Sequence, residues 1–217
     1  MLDEYCRENG IAMNFYSLSE RQRIFLEGMY PGRYRFIEER DNFDYIYTAE
    51  ALAELKGKKL SSKRNHINRF IENNPDWSYE KINKDNISEA IKMHSEWCDK
   101  VECEGDEGLA EESCAVLRAF KYFSELDLSG GILRAGGRVV AFSMGDELNK
   151  NTFLVHIEKA YADIQGAYPM INKQFVINNC EGDEFINRED DAGDEGLRKA
   201  KLSYKPFRLA EKYTAVE

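Results

Sequence analysis

Two titratable side chains two residues apart, His156 and Glu158, are the first place where this chain could do chemistry. They sit in the run Thr152 to Glu158. Strand alternation there puts Phe153, Val155 and Ile157 on one face and Thr152, Leu154, His156 and Glu158 on the other. A histidine and a carboxylate that point the same way can pass a proton; they can equally be a structural hydrogen-bonded pair. A second cluster runs from Asn187, Arg188 and Glu189 through the acids Asp190, Asp191, Asp194 and Glu195 to the basic residues Arg198, Lys199 and Lys201. Arg198 and Lys201, three apart on one helix face, suit a carboxylate or phosphate. Arg188 and Glu189 are either an ion pair that shapes the loop or a substrate contact, and Tyr204 is either core or a proton donor. The acids lack the alternating ligand spacing of an EF-hand loop, so no metal is expected. No Ser/His/Asp order, P-loop or nucleotide fingerprint is present.

The elements that must position these residues are legible from periodicity. Ile132 to Ala135, Gly136-Gly137, Val139 to Leu148, Asn149-Lys150 and Thr152 to Glu158 read as a three-stranded antiparallel meander. Before it, Ile87, Ala90, Ile91, His94 and Cys98 mark one face of a helix capped by Asp85 or Asn86, and a second helix spans Leu109 to Leu126. After it, Pro169 suits the first turn of a helix that opens at Gly166-Ala167-Tyr168 and runs through Ile177. A strand near Phe185, a helix N-capped by Asp194 and a last strand from Phe207 to Thr214 complete the order. Residues 1–55 repeat the later part of this order in miniature and read as a partial N-terminal unit. Residues 56–217 form the second unit, with the boundary near Lys56-Gly57-Lys58-Lys59. The fold class is α+β, a mixed sheet flanked by helices.

With 217 residues, 42% of them apolar and 12% aromatic, the chain can bury a real core. No apolar run is long enough to span a membrane, and the N-terminus has no secretory signal, so a cytoplasmic location is expected. The five cysteines have no paired CxxC spacing, which predicts reduced thiols, neither zinc site nor disulfide framework, with Cys103 exposed in an acidic loop. The formal net charge of −10 hides strong local asymmetry: Lys56, Lys58, Lys59, Lys63, Arg64 and Arg69 form one run without an acid, and Arg198 to Lys212 is also strongly basic. Such runs are either solvated faces or seats for an anionic ligand.

The chain resembles the C-terminal domain of the phosphatidylglycerol lysyltransferase family, a GNAT-like branch related to the Fem aminoacyltransferases. The resemblance lies in Lys63-Arg64-Asn65-His66-Ile67-Asn68-Arg69-Phe70, Gly137 to Phe142, His156-Ile157-Glu158-Lys159-Ala160, Gly166-Ala167-Tyr168 with Ile171-Asn172, and Asn187-Arg188-Glu189-Asp190 through Gly196 to Lys201 and Tyr204-Lys205-Pro206. It covers residues 45 to 213 and implies a GNAT-like sheet preceded by a partial second GNAT unit. It also implies an acyl or aminoacyl transfer with His156 or Glu158 as base. The donor would be an aminoacyl-tRNA or acyl-CoA, held as a co-substrate with no permanent cofactor. The helix start at Gly166 and Ala167 would hold the donor's anion, although the usual Gly-rich pattern is reduced here to Gln165-Gly166-Ala167. Lys63, Arg64, Lys199 and Lys201 would meet tRNA phosphates. Tyr168, Asn187, Arg188, Glu189, Arg198 and Tyr204 complete the implied substrate site. The acceptor is a small molecule or lipid headgroup, and a non-catalytic module holding an anionic metabolite or RNA end is the alternative.

Overall fold

The computed structural model describes residues 2–217, apart from the side chains of Leu2, Asp3 and Glu104. In chain order the elements are α1 (Leu2–Glu8), β1 (Phe15–Ser19), α2 (Glu20–Met29), β2 (Arg35–Glu38), β3 (Asp44–Thr48), α3 (Ala49–Glu54), α4 (Ser61–Asn73), β4 (Ser78–Lys81) and α5 (Ile87–Lys100). They continue with α6 (Glu107–Lys121), β5 (Ser129–Ala135), β6 (Arg138–Asn149), β7 (Thr152–Ala160), α7 (Ala167–Asn179), β8 (Phe185–Asn187), α8 (Glu195–Ser203), β9 (Arg208–Ala210) and β10 (Lys212–Val216). Local chemistry explains several helix starts. Ser19 and Gln22 form a reciprocal capping box at α2, Thr48 caps α3, and the Asp106 and Asp194 side chains accept the Leu109 and Leu197 amides at 3.0 and 2.5 Å. At α5 the expected cap works differently. Asn86 makes no cap bond to the helix, and its side-chain oxygen instead accepts the Asn83 amide.

The chain divides into two compact units, one of residues 1–46 with 189–217 and one of residues 47–188. In the second unit the sheet runs β4-β5-β6-β7-β8, antiparallel until the final pair, which is parallel. The meander is as the sequence predicts, turning at Gly136-Gly137, both with positive φ. Helix α7 covers one face, where Phe175 meets Phe153 edge-on. Helices α5 and α6 cover the other, where Phe120 and His94 pack on Phe142. Phe70, Phe142, Phe153 and Phe175 are at most 2% exposed, each contributing about 1.5–3 kcal/mol by leaving water.

In the first unit β10 lies between β1 and β2 in an antiparallel three-stranded sheet, and Asp44 to Ile46 pair with β9. The predicted single last strand is therefore two short ones, interrupted at Glu211. The expectation of reduced cysteines is corrected here. Cys98 and Cys103 form a disulfide with their Cα atoms 5.1 Å apart, and Cys103 is buried where exposure was expected. The reason is local: α5 ends at Lys100, and the turn after it folds Cys103 back toward the last helical turn.

Candidate functional site

The site in the second unit begins with an irregularity in β7. Gly145 of β6 pairs with Val155 and Met144 with Ile157, which leaves His156 as a surplus residue, a β-bulge. The bulge resets the alternation. Phe153 reaches α7, and beyond the bulge Glu158 also reaches α7, where it accepts the Asn172 side-chain amide at 3.0 Å. Lys159 turns the other way, to Glu112 of α6 at 2.7 Å and over the ring of Trp97. Regular alternation placed His156 and Glu158 together; the bulge separates their partners, and His156 lies 3.2 Å from Asp146.

The second ingredient is a short partner strand. Thr152, Phe153 and Leu154 pair with Phe185, Ile186 and Asn187, and there β8 ends while β7 continues to Ala160. The place where this parallel pairing ends is called the fork below. Arg188, the residue after β8, spans it to Glu158 at 2.9 Å, with both side chains 11% exposed, and its guanidinium also lies over Tyr47. Asn187 is buried beside it. Lys63 of α4 is half-buried within the fields of Arg188 and Glu158. Desolvation first, then the Arg188 charge, pulls its pKa below the ordinary lysine value, and Glu158 opposes them.

Helix α7 starts against this fork. Gly166, its N-cap, has φ +84°, and a Cβ there would lie 2.2 Å from the His66 carbonyl oxygen of α4. Glycine is thus required both for conformation and for the close approach of α4 to α7. Ala167 is buried. The Tyr168 ring reaches the surface, but its hydroxyl is desolvated near Trp97 and the Ala160 amide, and desolvation is the main cause that raises its pKa. The Arg64 guanidinium donates to the Leu55 and Gly57 carbonyls at the end of α3.

The first unit holds the remaining expected residues in a different arrangement. Asp191 is fully buried and accepts Tyr45 Oη at 2.5 Å, Arg198 Nε at 2.9 Å and Nη2 at 2.6 Å, and the Gly193 amide at 3.1 Å. The Arg198 bonds, ahead of an opposing desolvation, hold its pKa far below the usual carboxylate range. Arg198 also bonds Asp41 at 2.6 Å. Lys201 is buried, donates to the Asp190 carbonyl and lies over Tyr45. Arg198 and Lys201 are therefore committed to the acidic loop. Glu189 has φ +54° and its carbonyl accepts the Tyr45 amide, while Tyr204 is core. Lys199 stays exposed. No group of three or more His, Cys, Asp or Glu residues able to hold a metal occurs among the described residues.

Residues 2–216 match the family model described as phosphatidylglycerol lysyltransferase, C-terminal. The chain belongs to this family. Among solved structures, a conserved protein of unknown function from Bacteroides thetaiotaomicron is 44% identical, with TM-score 0.94 over 99% of this chain and 73% of that one. The L-PGS of Bacillus licheniformis shares the fold at TM-score 0.65 and 17% identity, over 99% of this chain and 70% of that one. An uncharacterised protein of Mycoplasmoides gallisepticum is 26% identical over 78% of this chain, which spans about half (54%) of that relative's length. The fold is α+β, a mixed sheet flanked by helices, and no described helix is long and apolar enough to cross a membrane.

Two residues of the fork escaped the residue-type search. Asn172 holds Glu158 but, as a neutral amide in a helix, carries no charge signal of its own. Gly145 was the available clue to the bulge. A Cβ there would lie 1.9 Å from the Leu154 carbonyl oxygen, and a glycine inside a strand marks such a close approach.

Proposed function

We propose that the chain is an acyl- or aminoacyltransferase of GNAT type whose reaction site is the fork in the second unit. The observation that carries this reading is Glu158: a bulge turns it onto the α7 face, Asn172 and Arg188 orient it, and the β7–β8 pairing ends on the side where Arg188 follows β8. In acyl transfer the attacking group must lose a proton, and the carboxylate of Glu158 is the base offered at this place. Arg188 and Lys63 supply positive charge where an oxyanion or a donor phosphate would develop or bind. The positive end of the α7 dipole suits the anionic part of the donor, although the Ala167 amide there donates to the Ile164 carbonyl and Pro169 has no N–H.

For the donor we favour an aminoacyl-tRNA over acyl-CoA. On and just before α4, Lys58, Lys59, His66 and Arg69 are exposed beside half-buried Lys63, a positive face in an acidic protein. In the first unit Lys199 is the exposed cation of α8. Arg64, Arg198 and Lys201 are left out of this role by their internal bonds. The acceptor is a small molecule or a lipid headgroup, and use of charged tRNA fits a cytoplasmic protein. The test is binding of charged tRNA and of acyl-CoA to the purified chain at several salt concentrations, followed by turnover with and without Glu158→Gln. A steep salt slope selects the nucleic acid; unchanged turnover in Glu158→Gln refutes the assignment. One observation favours a second reading, a non-catalytic binding module: both oxygens of the Glu158 carboxylate already accept hydrogen bonds, one from Arg188 and one from Asn172. Affinity for the donor without turnover selects it.

A further inference from the structure

Helix α5 ends inside an acidic stretch, with eight acids and one base between Glu96 and Glu112. Cys98, part-exposed in its last turns, is joined there to Cys103, which is 4% exposed in the turn that follows. Glu102, the residue before Cys103, has φ +55°, a left-handed conformation that a side chain keeps only when its surroundings impose it. The disulfide is the covalent restraint on this turn. The rest of α5 is held without it: Ala90, Met93 and His94 are buried, and His94 packs edge-on against Phe142. Those contacts outlast the bond. Next to the bond is Trp97. Lys159 Nζ lies 4.1 Å from the centre of its ring and bonds Glu112 of α6 at 2.7 Å. One β7 side chain therefore touches both helices that the disulfide-bearing turn connects.

We propose that the Cys98–Cys103 bond is a reversible modification site for small aminothiols and their disulfides, and that its state is felt at Trp97. The exposures choose the sulfur that is attacked, since an incoming thiolate meets Cys98 before the buried Cys103. Its sulfur forms a bond to Cys98 Sγ. The bond between the two protein sulfurs breaks, and its electron pair leaves on Cys103, which takes a proton from water. A second thiolate then attacks the mixed disulfide and releases Cys98, so two small thiols are oxidised to one disulfide while the protein bond is reduced. The acids choose the reagent. A thiolate is already negative, and this surface repels it. An ammonium on the same small molecule cancels that charge, whereas a carboxylate doubles it. Reversal follows from the spacing: thiols five positions apart stay near one another, so a small disulfide can close the bond again. Opening the bond frees the turn between α5 and α6, and the contact of Trp97 with Lys159 changes with it.

The experiment has two arms on the full chain, purified without reductant. In the first, cysteamine and 3-mercaptopropionate are compared, with alkylation of the Cys98 and Cys103 peptides followed by mass spectrometry. Each rate is divided by the same thiol's rate on 2-hydroxyethyl disulfide. The normalised rate should favour cysteamine by about tenfold at low salt, and the gap should close at roughly 1 M salt. Equal normalised rates at low salt overturn the proposal, as does alkylation of both cysteines before any thiol is added. The second arm reads the two tryptophans, Trp77 and Trp97, by fluorescence. A spectral change on reduction that cystamine reverses, kept in Trp77→Phe and lost in Trp97→Phe, is expected. No change, or a change that survives in Trp97→Phe, overturns the coupling to Trp97. The double variant Cys98→Ser, Cys103→Ser should give the reduced spectrum and ignore both reagents. If circular dichroism finds that variant unfolded, the bond is a fixed staple of the fold and the proposal fails; the first arm needs no variant at all.

Discussion

Replacing Gly166 by alanine tests whether the seam between α4 and α7 is as tight as the geometry requires. Two separate costs arise. An L-residue held at φ +84° is in the left-handed region, worth roughly 1–2 kcal/mol. The new Cβ would also lie 2.2 Å from the His66 carbonyl oxygen, 2.9 Å from its carbon and 3.0 Å from Phe70 Cβ. The first two are backbone atoms of a helix and cannot swing aside, so the helices must separate, at about 1–3 kcal/mol for overpacking. The sum is about 2–5 kcal/mol. Gly137 provides the control: its φ is +72° and a Cβ there meets nothing within 4 Å, so Gly137→Ala carries only the conformational cost. Urea unfolding of the wild type and both variants, followed by circular dichroism, should show Gly166→Ala less stable than Gly137→Ala by about 1–3 kcal/mol. Equal losses would refute the steric argument. Because α7 carries Tyr168 and Asn172, donor binding should weaken in Gly166→Ala and stay unchanged in Gly137→Ala.

Glu158→Gln should lower turnover by about a hundredfold or more while the melting temperature stays near that of the wild type, as measured by single-turnover transfer and thermal unfolding. Tyr45→Phe should cost about 1–3 kcal/mol by removing a buried hydrogen bond to a carboxylate, read from denaturant melts. The folded-state pKa of Asp191 is depressed. Its stabilising contribution is therefore complete above the unfolded value near 4 and fades as the pH falls below it, so stability measured between pH 6 and pH 2 should drop steeply and Asp191→Asn should flatten that slope. Reduction of Cys98–Cys103 closes no long loop, so reductant should cost only about 2 kcal/mol, and a thiol titration should rise from three free cysteines to five.

The parts of this molecule that were legible in the sequence are those governed by short-range rules. The meander follows from alternation and from Gly136-Gly137. Helix α7 follows from Gly166 and Pro169, and α8 from the Asp194 cap. What was not legible depends on contacts that no spacing rule announces. Arg198 and Lys201 looked like ligand-gripping cations because nothing nearby in the chain announces that Asp41, Tyr45 and the Asp190 carbonyl will meet them. The same holds for Arg64, whose acceptors are main-chain carbonyls, and those have no sequence signature. Cys98 and Cys103 failed for another reason: a five-residue spacing has no motif, and only the turn after α5 closes it.

The Gly145 close approach bears on inheritance as well as on packing. Thirteen positions separate it from Glu158, and it bears no side chain. It nevertheless decides which way a charge points, because only a residue without Cβ lets the Leu154 carbonyl come near enough for β7 to hold its surplus residue. A lineage could exchange many of the charged residues around the fork and keep a carboxylate facing α7. Exchanging this one neutral atom's worth of space would put Lys159, not Glu158, in line for that face.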